Sequence, residues 1–324
     1  MLTDKKISVV VVCYRDSGSI LELFKRLKEN LDKITPNYEV IYVNDASPDD
    51  SEDVLSGLAK REKCLTVITH SRNFGAQIAF TSGIYQAAGD AVVIMDGDLQ
   101  DPPELIYDFA KKWVEGYDVV YGIRAKRAEV WWRRIGYKVF YRIMQRFASF
   151  NIPLDAGEFS LMDRKIVDVI LACKERNRLI RGLRAYAGFK QVGIPFARPP
   201  RFSGETTQTL INYINWALKG FVSFSDKPLK FISFLSFIFT LLSGLALFIY
   251  LLFFLFISTP TGFMTLLTAI LFLGAIQLLC LSIIAEYLAQ IFEEIKNRPI
   301  NIVKEILNDQ RETPREWIGI KNEK

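Results

Sequence analysis

The feature that most limits how this chain can fold is a long stretch without charge in its last third. Residues 231–285 contain no Asp, Glu, Lys, Arg or His. A membrane-spanning helix needs about 20 consecutive apolar residues, so this stretch is long enough for two. Pro260 and Gly262 interrupt it and predict a tight turn. We therefore expect a helical hairpin in a membrane, with spans at 231–257 and 263–289.

Basic residues flank this hairpin on both sides. Lys227 and Lys230 precede it, and Lys296 and Arg298 follow it. Because such flanks stay on the cytoplasmic side, both ends of the hairpin are expected there. The first apolar run of the chain meets Arg15 too soon for a signal peptide. The rest of the protein and both termini are therefore expected in the cytoplasm.

Before the hairpin, short apolar runs alternate with segments of helical spacing. Strands are predicted at 7–13, 38–43, 64–69, 91–95 and 117–121, and helices at 17–33, 50–60, 75–88 and after Pro102-Pro103. This alternation predicts an α/β fold with a mostly parallel, Rossmann-like sheet and helices on both faces. Ligands of such sheets bind at the carboxyl ends of the strands, and polar residues follow all five predicted strands.

Composition argues against several kinds of chemistry. The chain has a single histidine, His70, and four cysteines that are far apart. These counts argue against zinc sites built on histidine and against Ser-His-Asp triads. Acid–base or metal chemistry therefore falls to carboxylates, and His70 is expected to be structural. The dinucleotide fingerprint and the P-loop are both absent.

Asp96-Gly97-Asp98 follows the fourth predicted strand and is the strongest candidate for a reacting centre. Two carboxylates one residue apart can hold a hard divalent cation, Mg²⁺ or Mn²⁺. Such a cation could bridge a diphosphate and neutralise charge on it as it leaves. Gly97 leaves space for the close approach of a ligand.

Longer motifs surround this one, and together they resemble a known enzyme family. N-D-A-S, S-R-N-F-G-A-Q-I-A-F-T-S-G and D-G-D-L-Q-D-P-P-E are similar to motifs of the inverting family 2 glycosyltransferases of GT-A fold. D-A-G-E-F-S-L-M-D-R, R-F-S-G-E-T and S-F-S-D-K-P-L-K resemble the polyprenyl-phosphate branch, which includes dolichol-phosphate mannose synthases and bacterial bactoprenol glucosyltransferases. The resemblance covers about residues 6–290.

The resemblance implies a role for each matching residue. Asp96 and Asp98 would hold the metal and the donor diphosphate, with Asp155 and Glu158 at the reacting centre. The nucleotide-sugar site is expected to comprise Tyr14, Asp16, Asp45, Asp96, Gln100 and Asp101. The lipid phosphate is expected to meet Arg124, Arg133, Arg134 and Arg201. The chain departs from the family pattern at Val12–Asp16, at Glu158 and at Thr207.

The resemblance also implies a reaction. A phosphate monoester is largely dianionic at neutral pH and can attack an anomeric carbon without a general base. The expected product is a β-linked polyprenyl-phosphate sugar, made from a polyprenyl phosphate such as undecaprenyl phosphate, with UDP-glucose as the first choice of donor. GDP-mannose, UDP-GlcNAc, UDP-galactose and UDP-aminoarabinose stay open, as does an inactive membrane scaffold. A homo-oligomer, with a tetramer among the options, in the bacterial inner membrane is also implied.

Two basic stretches fit an anionic lipid acceptor. Residues 124–146 and 174–201 each hold eight basic side chains and one acidic side chain. Within the first, apolar and basic residues repeat at spacing four over 129–150, a pattern typical of an amphipathic helix at a membrane interface. No RNA-binding motif accompanies it, so nucleic acid is not expected as a partner.

The predicted organisation divides the chain into five parts. The GT-A domain, with its interfacial helix at 129–150, is expected at 1–200. It is followed by a juxtamembrane segment, two spans and a cytoplasmic tail, at 201–230, 231–257, 263–289 and 290–324.

Overall fold

The computed structural model describes residues 1–124, 156–197 and 262–309, together with scattered positions near 199, between 229 and 252, and between 311 and 317. The predicted interfacial helix at 129–150 lies outside the described residues, and the predicted first span lies largely outside them. The described residues fall into two compact units. One contains a β-sheet and the residues from Arg298 onward, and the other contains a long apolar helix.

The first unit is built on one mixed sheet. Within the described residues its strands are β1 (Ile7–Cys13), β2 (Tyr38–Asn44), β3 (Leu65–His70), β4 (Ala91–Asp96), β5 (Val119–Arg124), β6 (Ala156–Asp163), β7 (Gln191–Phe196) and β8 (Val303–Leu307). Their order across the sheet is β7-β5-β6-β4-β1-β2-β3-β8. The first five strands were predicted, and each begins and ends within a few residues of its predicted position.

The pairing of these strands brings five carboxyl ends to one edge of the sheet. β1 pairs in parallel with β2 and with β4, and β2 pairs in parallel with β3. β6 lies between β4 and β5 and is antiparallel to both, so β4 and β5 point the same way. The α/β prediction is confirmed, with the addition that β6 and β8 make the sheet mixed.

Helices cover the sheet and bury its apolar side chains. They are α1 (Ile20–Ile34), α2 (Ser51–Ala59), α3 (Ala76–Gln86), α4 (Leu105–Val114), α5 (Arg164–Ala172) and α6 (Ile180–Tyr186), and the apolar helix is α7 (Phe263–Ile295). In α1, for example, Leu23, Leu27 and Leu31 recur at helical spacing and are fully buried. Each such side chain contributes about 1.5–3 kcal/mol when it leaves water.

The strand at one end of the sheet comes from beyond the apolar helix. β8 pairs antiparallel with β3, with Leu307 opposite Val67, and Val303 is buried. Asn308 secures the end of β8, since its side-chain amide donates to the backbone carbonyls of Glu62, Lys63 and Leu65. The sequence of 290–324 predicts a tail, and β8 is therefore a strand that its pattern does not predict.

α7 contains the predicted second span and continues to Ile295. Its part from Phe272 to Ile295, 24 residues long, is long and apolar enough to cross a membrane, and none of its most apolar window is buried. The hairpin of two transmembrane helices is not confirmed. Within the described residues, this is the one helix that meets the length and composition for a span.

Candidate functional site

Three strained turns mark the carboxyl edge of the sheet. Arg15, Ala46 and Leu99 follow β1, β2 and β4, and their φ angles are 62°, 51° and 60°. Residues other than glycine are uncommon in this left-handed region, and they cluster at binding and catalytic sites. The edge at which the sequence analysis placed the polar residues is therefore also where the backbone is held in costly conformations.

The turn between Asp96 and Asp98 is pinned to the loop after β1. The Gly97 amide donates to the carbonyl of Val12 at 2.9 Å, and the Ser19 hydroxyl lies 2.6 Å from the Gly97 carbonyl. A Cβ atom on Gly97 would lie only 2.7 Å from the Val12 carbonyl oxygen. Glycine is therefore required here by close backbone approach, and the two carboxylates on either side have a set spacing.

The residues after this turn hold it in place. Asp98 is buried, and its Oδ1 accepts a hydrogen bond from the Gln100 amide at 3.1 Å. Asp101 is also buried, and its Oδ2 lies 3.4 Å from the amide of Asp96. The side-chain amide of Gln100 donates to the carbonyl of Pro199 at 3.2 Å. Gln100 and Asp101 were predicted to shape the sugar pocket, and they also support the loop that carries Asp96 and Asp98.

The pairing of β6 with β4 brings Glu158 to the same edge of the sheet as Asp96. The pairs run from Ala91 opposite Asp163 to Ile94 opposite Ser160, and Asp96 and Glu158 each lie two residues beyond the last pair. Oε2 of Glu158 is buried and accepts no hydrogen bond from the residues that the structure describes. Burying a carboxylate oxygen without a donor is costly, so this atom is suited to a ligand.

Two arginines lie over the backbone beside Glu158. Arg124 ends β5, and its Nε would be 3.4 Å from a Cβ atom on Gly157. Arg184 is 1% exposed, donates to the Gly157 carbonyl at 3.3 Å, and lies 5.0 Å from the centre of the Tyr121 ring. Burial lowers the pKa of Arg184 to about 10, although Glu158 favours its charged form.

Arg124 was predicted and Arg184 was not. Arg184 belongs to the basic stretch 174–201, which was expected to meet an anion. The sequence does not show which of the eight basic residues in such a stretch is buried. α6 is short, and its position on the sheet depends on tertiary packing.

Asp45 follows β2 and is held by the protein itself. Its side chain is 2% exposed. Oδ1 accepts from Nδ1 of His70 at 2.7 Å and from the Phe74 amide at 2.9 Å, and Oδ2 accepts from the Gly75 amide at 2.7 Å. His70 is also buried, which agrees with the structural role expected for it. A carboxylate has about four acceptor positions, so Asp45 retains about one that can accept a hydrogen bond from a ligand.

The loops after β1 and β2 are joined by a small network. The Arg15 amide donates to the Ser47 hydroxyl at 2.7 Å, and the Ser17 amide donates to Asp49 at 3.0 Å. Burial opposes ionisation of Asp49, but donation from Ser47, Ser51 and Ser17 outweighs it and holds the pKa of that carboxyl well below its ordinary value. Tyr14 and Asp16 lie in the first of these joined loops.

The structure brings most of the predicted site residues to one edge of the sheet. These are Tyr14, Asp16, Asp45, Asp96, Asp98, Gln100, Asp101, Arg124 and Glu158. The other predicted site residues lie outside the described residues: Arg133, Arg134, Asp155 and Arg201.

Asp96 and Asp98 fit a hard divalent cation as a pair of ligands. Among the residues that the structure describes, no group of three or more His, Cys, Asp or Glu side chains is arranged around a metal position. Mg²⁺ is usually held by one or two carboxylates, with water and substrate phosphates as the other ligands. The two carboxylates on this pinned turn match that donor set.

Comparison with known proteins finds relatives over most of the chain. The sequence profile of glycosyl transferase family 2 matches residues 8–171. The chain is 41% identical over 299 residues to the uncharacterized glycosyltransferase YkcC of Bacillus subtilis, covering 92% of this chain and 93% of that protein. It is 31% identical over 314 residues to the bactoprenol glucosyl transferase of Shigella phage SfII, covering 92% and 97%.

A solved structure shows a weaker likeness. Glucosyl-3-phosphoglycerate synthase from Mycobacterium tuberculosis, in complex with UDP, is 17% identical, with a TM-score of 0.42 over 66% of this chain and 76% of that one. A likeness of this size supports no conclusion about ligands.

Proposed function

This chain belongs to glycosyl transferase family 2, and from that premise we propose that it transfers a hexose from a nucleotide sugar to a polyprenyl phosphate. The donor we put first is UDP-glucose, and the acceptor is undecaprenyl phosphate. The relatives named bactoprenol glucosyl transferase support the acceptor, since one of them aligns over 97% of its own length. The product is a β-linked polyprenyl-phosphate sugar, released with a nucleotide diphosphate.

One observation carries the proposal. Asp96 and Asp98 flank a turn that the Val12 carbonyl holds in place, and a buried, unsatisfied oxygen of Glu158 lies on the adjoining strand. The two carboxylates of one turn repel each other unless a positive group lies between them. A divalent cation that bridges the donor diphosphate would supply that charge and stabilise the departing nucleotide.

The residues of the chain would then act mainly by positioning. The acceptor phosphate is itself the nucleophile, because its second pKa lies near 6 and it is dianionic at neutral pH. We propose that Arg124, at the carboxyl end of β5, receives that phosphate, and that Arg184 contributes buried positive charge beside Glu158. Attack from the face opposite the leaving diphosphate inverts the anomeric carbon. Alignment of the two reactants supplies much of the rate.

The membrane anchor is part of the proposal. α7 has the length and composition that a membrane-spanning helix needs. We propose that the uncharged stretch 231–257 is the other helix of a hairpin. Both termini of the chain would then lie in the cytoplasm. The acceptor phosphate would then lie at the inner surface of a bacterial plasma membrane, on the side of the nucleotide-sugar pool. The homo-oligomer stays a prediction.

The test is nucleotide release by the purified full chain in detergent. The reaction would contain undecaprenyl phosphate, Mg²⁺ or Mn²⁺, and each of UDP-glucose, UDP-galactose, UDP-GlcNAc, UDP-aminoarabinose and GDP-mannose in turn. We expect release with one donor that depends on both lipid and metal. Asp98→Asn should reduce it at least about 100-fold, whereas Asp108→Asn, on the exposed face of α4, should not.

Each outcome has a distinct meaning. Release with a donor other than UDP-glucose would correct the sugar and keep the reaction. A folded protein that releases nothing with any donor would overturn the proposal and favour the scaffold reading. Nucleotide release that does not depend on lipid would mean that the acceptor is a different molecule. The family assignment would stand.

A further inference from the structure

A chain of buried side chains links the β2 loop to the segment that follows the apolar helix. Asp45 Oδ1 bonds Nδ1 of His70 at 2.7 Å, and Nε2 of His70 lies 2.8 Å from the Ser82 hydroxyl. The side-chain amide of Asn301 donates to that same hydroxyl at 2.6 Å. Asp45, His70 and Ser82 are each about 1% exposed. We call these four residues the relay.

Each member of the relay contacts the next. A carboxylate can only accept, so Nδ1 of His70 donates to Asp45. The one hydrogen of the Ser82 hydroxyl has two acceptors within reach, Nε2 of His70 at 2.8 Å and the Ile78 carbonyl at 3.1 Å. Asn301 donates to the oxygen of the same hydroxyl, and it thereby restricts the orientation of Ser82 beside His70.

The relay ends on a loop that is exposed to solvent at the carboxyl edge. The two oxygens of Asp45 accept from the amides of Phe74 and Gly75. Ser71, Arg72 and Asn73 precede these two residues and are exposed. We call residues 71–75 the donor loop, because the proposed function places a nucleotide sugar at this edge.

The segment around Asn301 also meets this loop through its backbone. The Ser71 amide donates to the carbonyl of Ile302 at 3.0 Å. The start of the donor loop therefore bonds the residue after Asn301, and the end of the loop bonds Asp45 at the far end of the relay.

We propose that Asn301 is a positioning residue for the donor loop, acting through Ser82, His70 and Asp45. This inference rests on the proposed function for the identity of the ligand, a nucleoside-diphosphate sugar. The part of the chain after the apolar helix thereby contributes to donor affinity, although Asn301 itself touches neither donor nor acceptor.

Asn308 provides a matched control. It is the same residue type on the same segment, and its amide holds the other end of β8 to the carbonyls of Glu62, Lys63 and Leu65. It is not a member of the relay. Asn308→Ala should therefore loosen β8 without altering the hydrogen bonds of Asp45.

The experiment uses the full chain in detergent and has two readouts. The first is amide hydrogen exchange at Phe74 and Gly75, which needs no substrate. The second is steady-state kinetics against the donor. Asn301→Ala should speed exchange at these amides about fivefold and raise the donor KM about fivefold, with kcat within about twofold, as expected for one lost hydrogen bond. Asn308→Ala should leave both readouts near the wild type even if its Tm falls.

Ser82→Ala gives a second route to the same answer, should Asn301→Ala fold poorly. It removes the middle of the relay and should reproduce the exchange and KM changes. Equal changes in Asn301→Ala and Asn308→Ala would overturn the inference, since both would then act only by holding β8. Wild-type exchange rates in Asn301→Ala and in Ser82→Ala would overturn it too. If the wild type transfers no sugar, the proposed function fails, and the exchange rates still decide whether Asn301 holds the loop.

Discussion

Asp45 and Glu158 are acidic residues at the same edge of one sheet, and their surroundings are opposite. Asp45 accepts three hydrogen bonds, from His70 and from two backbone amides. Glu158 has a buried oxygen that accepts none from the described residues. The basic partner also differs, since Asp45 bonds the His70 ring and Glu158 interacts electrostatically with the buried guanidinium of Arg184.

The difference shows how one edge can combine stability with reactivity. A carboxylate whose oxygens are satisfied by the protein lowers the free energy of the folded state and holds a loop. A carboxylate left unsatisfied raises that free energy and is suited to a ligand that satisfies it. The sheet thus has an anchored side, at β2, β3 and β8. We call the side at β4, β5 and β6 the reacting side, because the proposed function puts the transfer there.

The largest effect is expected on the reacting side. Glu158→Gln keeps the shape of the side chain and removes its charge, so transfer should fall at least about 100-fold, as for the loss of other electrostatic groups at reacting centres. Removing this charge also leaves the buried guanidinium of Arg184 without its acidic partner, so the Tm should fall as well. Initial rates and thermal unfolding of the same sample measure both. A rate within tenfold of the wild type would remove Glu158 from the reacting centre.

The second effect belongs to the anchored side. Asp45→Asn puts an amide hydrogen donor against groups that already donate, so the free energy of unfolding should fall by about 2–3 kcal/mol. Denaturant titration of the detergent-solubilised protein would measure it. Asp53→Asn, on the exposed face of α2, is the control and should change it by less than about 0.5 kcal/mol. If Asp45→Asn loses sugar transfer while its free energy of unfolding is unchanged, Asp45 belongs to the reacting side and not to the anchored side.

The smallest effect is expected on the stability of the protein at acid pH, through the network that joins the loops after β1 and β2. The pKa of Asp49 is lower in the folded protein than its ordinary value of 3.8, because donation from Ser47, Ser51 and Ser17 outweighs burial. Its contribution to stability is therefore present above pH 4 and is lost as the pH falls through the lowered pKa. Asp49→Asn should lose less stability than the wild type when the pH is lowered from 4. Parallel acid unfolding curves for the two proteins would contradict this.

Local patterns were sufficient for one half of the sheet. Five strands and the first four helices were predicted because each has its own apolar periodicity, and the polar residues after the strands reached a common edge because parallel strands point the same way. Asp96, Gly97 and Asp98 are the clearest case. They are consecutive in the chain, so the sequence already puts both carboxylates on one turn.

Other elements could not be predicted from local patterns. β6 begins with Ala156 and Gly157, which are weak strand formers, and its position is set by pairing on both sides. β8 contains Lys304 and Glu305 and is exposed along much of its length, so its short pattern resembles a tail. The positions of β6 and β8 are set by their partner strands, which are β4 and β5 for β6 and β3 for β8.

The sequence alone determined the class of fold, the family, the position of the carboxylate pair and the apolar character of the last third. These properties depend on residues that are close together along the chain. The tertiary structure decided which carboxylate is satisfied, which arginine is buried, and that Asn301 bonds Ser82 across 219 positions of sequence. Such contacts depend on how distant segments pack, and hydrophobic periodicity carries no information about the partner of a given polar atom.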